Sequence, residues 1–493
     1  MMRLTRRGVM GGLIAGWGVR ALAEAPFVSP LPQVRPAGLS SVPAAAVATR
    51  TAEALIAEAK LGGEVSFVLA DLKTGAVLAE RQGGRRMPPA STAKAITALY
   101  ALDRLGAGHR FATRILATGP VSDGRVRGDL ILAGGGDPTL STDHLGDMAA
   151  RLAALGVKLV EGRFCVWAGA LPYLDEIDRD QPEWLGYNPA VSGLNLNFNR
   201  VNFKWKPVGG DYETVFDAEG ERFVPPVHVA RMKVVARDLP VYTYAQSGTV
   251  EDWTVSRAAL GKGGSRWLPV RRPDLYAGDV FCTLVGAHGI DLPAPEVLAD
   301  LPDGAELLRR EGEPLPDVLR DMLKFSTNLT AEAVGMAASL RSGVGGHAAS
   351  AAAMGDWLRG VTGGNAAHFV DHSGLGGASR VTALEMAGAL RQLGPAAGLG
   401  AILKPVKFKD AADLGAGRAP QRVVAKTGTL NFVSGLVGYL TTAAGEERVF
   451  AIHAADVARR DAVPMADRER PPGASGWAKR ARRMQLRLLG SWA

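Results

Sequence analysis

Apolar positions fall at helical spacing near the start of the chain, at strand spacing just after it, and then alternate between the two. Thr51 to Lys60 reads as a short amphipathic helix. Glu64 to Leu69 and Ala76 to Arg81 read as two strands, joined by Asp71-Leu72-Lys73-Thr74-Gly75, a hairpin turn with glycine near its end. Ala95 to Leu102 is rich in Ala and Leu and has its apolar residues at helical spacing. From about 110 to 275 the character changes: runs such as Leu130-Ile131-Leu132, Arg163 to Trp167, Val201 to Trp205 and Met232 to Val235 are broken by Gly, Pro and Asp clusters. That pattern predicts a β-rich inserted region. The helical period returns through Ala277 to His288 and Leu315 to Leu340. Three strands close the pattern, Val423 to Leu430, Val433 to Thr442 and Arg448 to Ala454, with a hairpin at Ala443-Ala444-Gly445-Glu446 between the last two. Strands at both ends with helices between them predict an α+β fold. One antiparallel sheet is built from both chain ends and covered by helices, and the β-rich region hangs from it.

Within this frame three short stretches carry chemistry. Pro88 and Pro89 cannot continue a helix backwards, so the helix of Ala95 begins near Ala90 or Ser91. Ser91 and Lys94 then stand on one helix face within side-chain reach. Ser91 lies in the first turn, where free N–H groups and the helix dipole favour a developing anion. This suits a serine nucleophile with a lysine as its base, although an N-cap serine and a surface lysine give the same letters. Lys324-Phe325-Ser326-Thr327-Asn328 lies between two helical patterns and sets the Ser326 hydroxyl and the Asn328 amide on one short loop. Both groups can hydrogen-bond a substrate or relay a proton, and an N-cap for the following helix explains the stretch equally well. Lys426-Thr427-Gly428-Thr429 falls in a strand, where a glycine marks close approach of a ligand or another backbone. With the cation of Lys426 and the hydroxyls of Thr427 and Thr429, it suits docking of an extended peptide that ends in a carboxylate. A second Lys-Thr-Gly, Lys73 to Gly75, is only a hairpin turn. Gly134-Gly135-Gly136-Asp137-Pro138 is likewise a turn, because no G-K-[ST] follows it.

Charge and cysteine content narrow the classes. The net charge of +8 falls by half if the chain is cut after Ala23, since Arg3, Arg6, Arg7 and Arg20 precede it with no acid among them. The remaining excess is too weak to argue for nucleic acid. Arg3, Arg6 and Arg7, the uncharged run Gly8 to Val19, and the small-residue sites Ala21-Leu22-Ala23 and Ala23-Glu24-Ala25 read as an export signal, with the paired arginines of a twin-arginine type. An uncleaved membrane anchor is the alternative. Residues 26 to 45 carry five prolines and read as a linker or extended strap. Cys165 and Cys282 each sit in an apolar run, which fits buried thiols as well as a disulfide. Scattered histidines without ligand spacing predict no metal, and nothing calls for a cofactor. At the C-terminus Trp477, Ala481, Met484 and Leu488 share one helical stripe, apart from most of the arginines. Packing of that stripe on the sheet is the favoured reading, with peripheral membrane contact through this basic helix as the alternative.

The order Ser91-x-x-Lys94, Ser326-x-Asn328, Lys426-Thr427-Gly428, each in its expected setting, resembles the signature of penicillin-binding proteins and serine β-lactamases. Further stretches are similar to the low-molecular-weight D-alanyl-D-alanine carboxypeptidase/endopeptidase branch with a large insertion between the first two motifs. They are Gly128-Asp129-Leu130 leading to Gly136-Asp137-Pro138, Ser326-x-Asn328-x-x-Ala331-Glu332, Asp371-x-Ser373-Gly374-Leu375, and Gly435 to Tyr439. The long gap between Ser91 and Ser326 separates this branch from β-lactamases. The resemblance implies a β-lactamase/transpeptidase-like domain in two segments, 26–109 and 276–493, around an inserted region at 110–275, after a signal peptide at 1–25. It also implies an acyl-enzyme on Ser91, with Lys94 as base kept neutral by burial and by Lys426. Ser326 relays a proton, Asn328 orients Lys94 and the substrate, and Lys426 and Thr427 hold the terminal carboxylate. The N–H groups of Ser91 and Thr429 form the oxyanion hole. Peptidoglycan stem peptides are then the substrate, β-lactams the covalent inhibitors, and the periplasm the site of action. A serine β-lactamase and a non-catalytic peptidoglycan-binding scaffold are the alternatives. Thr327, where the branch usually has Asp, and His372, where it usually has Gly, are departures. The Gly-rich segment ahead of the third motif is blurred to Lys404-Pro405-Val406-Lys407-Phe408-Lys409.

Overall fold

The computed structural model describes residues 40–41, 46–408, 411–414 and 417–493. The export signal and most of the strap read before residue 46 lie outside the described residues. A seven-stranded sheet organises the rest. In spatial order its strands are Ser40–Ser41, Ala76–Arg81, Glu64–Asp71, Glu447–Ala455, Val433–Thr441, Arg422–Leu430 and Lys404–Pro405. All neighbours pair antiparallel except Ser40–Ser41, which runs parallel to Ala76–Val77 at one edge. The first long strand and the last strand thus meet at the centre, Glu64–Asp71 against Glu447–Ala455.

Both faces of this sheet are covered, which is why its strands read as near-continuous apolar runs. Along Glu64–Asp71 the side chains alternate: Val65, Phe67 and Leu69 face one way, Val68 and Ala70 the other. The first set packs against helix Ala46–Ala59 and the C-terminal helix Ala474–Ser491. The second packs against helices Ala93–Leu105, Leu315–Phe325, Asn328–Leu340, His347–Thr362 and Ala383–Leu393. The C-terminal stripe takes part in this packing: Trp477, Ala481, Met484 and Leu488 are all buried, and Trp477 Nε1 donates to Leu61 O at 2.7 Å.

The chain leaves this body at Phe111 and returns at Leu315. Gly312 N donates to Phe111 O at 2.8 Å, and Leu315 N to His109 O at 2.9 Å, closing a two-stranded neck. Between them lies a second, five-stranded sheet in the order Glu296–Leu298, Phe164–Trp167, Leu130–Gly134, Ala112–Ala117, Ala305–Glu311, with smaller sheets beside it. The boundary expected at 275 is therefore misplaced. Helix Pro273–Gly286 packs into the inserted core through Tyr276, Val280 and Phe281, and Ala305–Glu311 pairs with Ala112–Ala117. Helical periodicity alone cannot say which sheet a helix covers; only the late strand pairing does. Cys165 is buried on one strand of this region and Cys282 half-buried on its helix, and both are free thiols.

Candidate active site

The nucleophile turn is built by its two prolines. Pro89 takes helical angles just ahead of the turn, Ala90 a positive φ of 47°, a 3₁₀ turn spans Ala90–Thr92, and the α-helix runs from Ala93 to Leu105. Thr92 Oγ1 ties the turn shut on Pro89 O at 2.6 Å. Ser91 faces a cleft while Lys94, one turn on, is completely buried. Lys94 Nζ has three partners: Ser91 Oγ at 3.1 Å, Asn328 Oδ1 at 2.7 Å and the backbone carbonyl of Ser373 at 2.7 Å. Asn328 is fixed in orientation because its Nδ2 donates to Tyr187 O at 2.9 Å.

The second stretch is held by strain. Ser326 ends helix Leu315–Phe325 in the left-handed region, φ 61° and ψ 39°, a conformation uncommon for a residue with a side chain. This bend turns the Ser326 hydroxyl toward Lys426, whose Nζ donates to it at 2.9 Å and to Thr427 O at 2.7 Å. Thr327 keeps the loop but not a cap: it stands at the helix N-terminus without a side-chain capping bond, and its Oγ1 is buried without a partner. The third stretch comes within touching distance of the first. A Cβ on Gly428 would meet Pro89 O at 2.8 Å, Thr92 N at 2.9 Å and Ser91 N at 3.1 Å. Only a glycine lets the strand pass there. Past Ala425 the outer edge of this strand has no strand paired to it among the described residues, since Lys404–Pro405 covers only Val424 and Ala425. Such an edge can accept an extended peptide. Thr429 lines the cleft. Thr427 gives its carbonyl to Lys426, but its exposed side chain is outside the cleft lining.

Electrostatics follow from burial. Desolvation lowers Lys94 to about 8, against the pull of the Asp371 and Glu332 carboxylates. Lys426 is lowered well below the usual lysine range by burial first and by the charge of Lys94 second. Burial thus poises Lys94, and the mutual repulsion of the two lysines disfavours charging both at once. Beneath Lys94 lie two fully buried carboxylates that pattern reading gave no role. Glu332 accepts from the backbone N–H of His372 and Ser373, and Asp371 accepts from Gly374 N. Burial works against the Glu332 charge, but His347 and these N–H bonds hold it low, whereas burial and the neighbouring Glu332 push Asp371 up.

The cleft has a volume of about 680 Å³. It is lined by Ser91, Ser326, Asn328 and Thr429 together with Gln181, Tyr187 and residues of the segment 468–476. That segment is tied to the inserted region. Glu469 accepts from Trp184 Nε1 at 2.8 Å and from Arg266 at 3.1 Å, and Arg468 bonds Asp180 O. Ser373 and Tyr187 contribute through backbone carbonyls, which leave no mark in side-chain letters.

Sheet, helices and site together define a serine peptidase of the penicillin-binding class. Residues 48–470 match the model of the D-Ala-D-Ala carboxypeptidase 3 (S13) family, peptidase S13, and the chain belongs to that family. It is 30% identical over 437 residues to a D-alanyl-D-alanine carboxypeptidase of Actinomadura sp. strain R39, covering 80% of this chain and 78% of the relative. It is 24% identical over 433 residues to the D-alanyl-D-alanine carboxypeptidase DacB of Haemophilus influenzae, covering 79% and 85%. The crystal structure of penicillin-binding protein 4 from Haemophilus influenzae superposes with a TM-score of 0.68 at 22% identity, over 82% of this chain and 93% of that one. The enzyme is a serine-type D-Ala-D-Ala carboxypeptidase.

Proposed function

We propose that Ser91 is the nucleophile and Lys94 its base in acyl transfer from peptidoglycan stem peptides. One observation carries this. Of the three partners of Lys94 Nζ, Asn328 Oδ1 and Ser373 O are carbonyl oxygens that only accept, so a neutral amine gives them its two hydrogens. Its lone pair is left facing Ser91 Oγ, the one partner able to donate. Lys94 removes the Ser91 proton as Oγ attacks the carbonyl of the penultimate D-Ala. The N–H groups of Ser91 and Thr429 receive the oxyanion. Ser326, held by Lys426, gives its proton to the departing amine and is reprotonated with the one that Lys94 took from Ser91, so that Lys94 is neutral again as the C–N bond breaks to release D-Ala. The Lys426 amine at the strand edge draws its carboxylate while it is bound, and an approaching carboxylate favours the charged form of that amine; the exposed Thr427 hydroxyl, outside the cleft lining, is left without this role. Water then cleaves the Ser91 ester and restores the hydroxyl. Attack at a cross-linked D-Ala, with the neighbouring strand as leaving amine, is the same step and gives endopeptidase activity. The basic, apolar N-terminal stretch exports the chain, which acts in the periplasm. No helix among the described residues is long and apolar enough to cross a membrane.

The test is intact-mass spectrometry with and without benzylpenicillin, beside Ser91→Ala. A persistent penicilloyl adduct on the wild type alone, with D-Ala released from a peptide ending in D-Ala-D-Ala, is the expected result. Rapid penicillin turnover without an adduct would favour a β-lactamase, and neither adduct nor hydrolysis a binding scaffold.

A further inference from the structure

Glu332 lies one turn after Asn328 on the same helix, and the two reach Lys94 by different routes. Asn328 touches Nζ directly. Glu332 is fully buried and acts through the loop 371–374. Its Oε2 accepts from His372 N at 2.9 Å and its Oε1 from Ser373 N at 2.8 Å. In the next peptide unit, Gly374 N donates to Asp371 Oδ1 at 2.7 Å while the Ser373 carbonyl points to Lys94 Nζ at 2.7 Å. Two buried carboxylates therefore clamp successive peptides, and the second of those peptides holds the base. The loop is also pinned to the nucleophile turn. A Cβ on Gly374, where φ is 74°, would sit 1.9 Å from Ala90 O.

We propose that Glu332 is a positioning residue for the reaction: it fixes the Ser373 carbonyl on Lys94 and sets a buried negative charge beside that base. This rests on Lys94 being the general base. The charged and titratable groups packed around the pair come from every neighbouring element. They are Lys426 on the strand, Asp371 and His372 on the loop, and His347 at the start of helix His347–Thr362. His372 is neutral, since burial lowers it to about 4, and its Nε2 is bonded to Ser350 Oγ at 2.7 Å. His347 Nε2 lies 2.9 Å from Glu332 Oε2, with 14% of its side chain exposed, and so links the buried carboxylate to solvent.

The experiment is the pH dependence of the second-order rate of Ser91 acylation by benzylpenicillin, read by intact mass on full-length protein. Wild type is compared with Glu332→Gln and His347→Gln, with thermal melts to confirm folding. Glu332→Gln removes the charge and leaves one backbone N–H facing an amide N–H. Its rising limb is expected to move to lower pH by about one unit, with a limiting rate at least about tenfold lower. Burial works against a charge on His347 but Glu332 outweighs it and raises the imidazole; His347→Gln removes that positive partner while keeping the carboxylate on its two N–H groups, so its limb is expected to move to higher pH. An unchanged midpoint in Glu332→Gln, or a downward shift of both variants alike, would overturn the proposal, because loosening alone lowers amplitude without opposed shifts. Should Glu332→Gln not fold, the upward shift in His347→Gln supports the proposal and an unchanged midpoint rejects it. Failure of the underlying reading looks different: the wild type itself would show no adduct, or a rate without a rising limb.

Discussion

At the scale of single residues, burial decides which atoms react. Lys94 is lowered to about 8 because a fully buried ammonium loses its hydration, and two carboxylates keep it from falling further. If the neutral amine is the base, acylation of Ser91 by benzylpenicillin rises with pH and reaches half its limiting rate near 8. A stopped-flow or quenched mass series across pH 6 to 10 checks this, and a flat profile would remove Lys94 from the role. His372 shows how one residue shapes its neighbours. A Cβ on Gly335 would lie 2.2 Å from its ring, so helix Asn328–Leu340 lacks a side chain where the loop carries a large one. Gly335→Ala is expected to cost about 2–3 kcal/mol by overpacking, read from urea unfolding. In a His372→Gly background the same substitution costs at least about 1 kcal/mol less. Additivity of the two changes would show that the ring does not need the glycine.

At the scale of elements, the three motifs were legible because their chemistry sits in side chains at short spacing and their settings follow from local rules. Two prolines announce the turn before Ser91, and a glycine inside an otherwise apolar strand announces a close approach. The structure identifies what approaches: the backbone of Pro89, Ser91 and Thr92 against Gly428. Gly428→Ala must therefore push the nucleophile turn away, since the atoms met are backbone and cannot rotate aside. Acylation is expected to fall by about 100-fold or more, as for an ångström of misplacement, while the far-UV spectrum stays unchanged. A near-normal rate would mean the strand can shift freely. Other parts were not legible for equally physical reasons. Ser373 and Tyr187 act through carbonyls that every residue has. The strand Ala305–Glu311 belongs to the inserted sheet only by virtue of a partner almost two hundred positions earlier, Ala112–Ala117. Glu332 and Asp371 could be matched to a family pattern, but their position beneath Lys94 required the packing of a helix against a loop.

At the scale of the whole molecule, the inserted region helps to build the cleft. Tyr187 receives Asn328 Nδ2, and the loop that carries Tyr187 is organised by Arg271, whose guanidinium bonds the carbonyls of Asp175, Glu183 and Asn188 at 2.7–2.9 Å. Arg271 is held in turn by Glu251, whose Oε1 accepts the N–H groups of Arg271 and Arg272 at 2.8 and 2.7 Å. Glu251 Oε2 is buried with no partner. Desolvation raises this carboxyl from 4.5 to about 7, in spite of the two N–H bonds and the nearby arginines. The folded protein then holds a proton that the unfolded chain releases between those pH values. Its contribution is fully present below pH 4.5 and is lost as pH rises toward and through 7, by up to about 3 kcal/mol. Glu251→Gln keeps an oxygen for both N–H groups and has no proton to lose, so its urea midpoint is expected to fall less between pH 5 and 7.5 than that of the wild type. Parallel curves would mean that water reaches Glu251 and that its burial does not govern the inserted region. If the curves diverge as expected, the same titration bears on the cleft, because the chain Glu251, Arg271, Asn188, then its neighbour Tyr187 and Asn328 ends on Lys94.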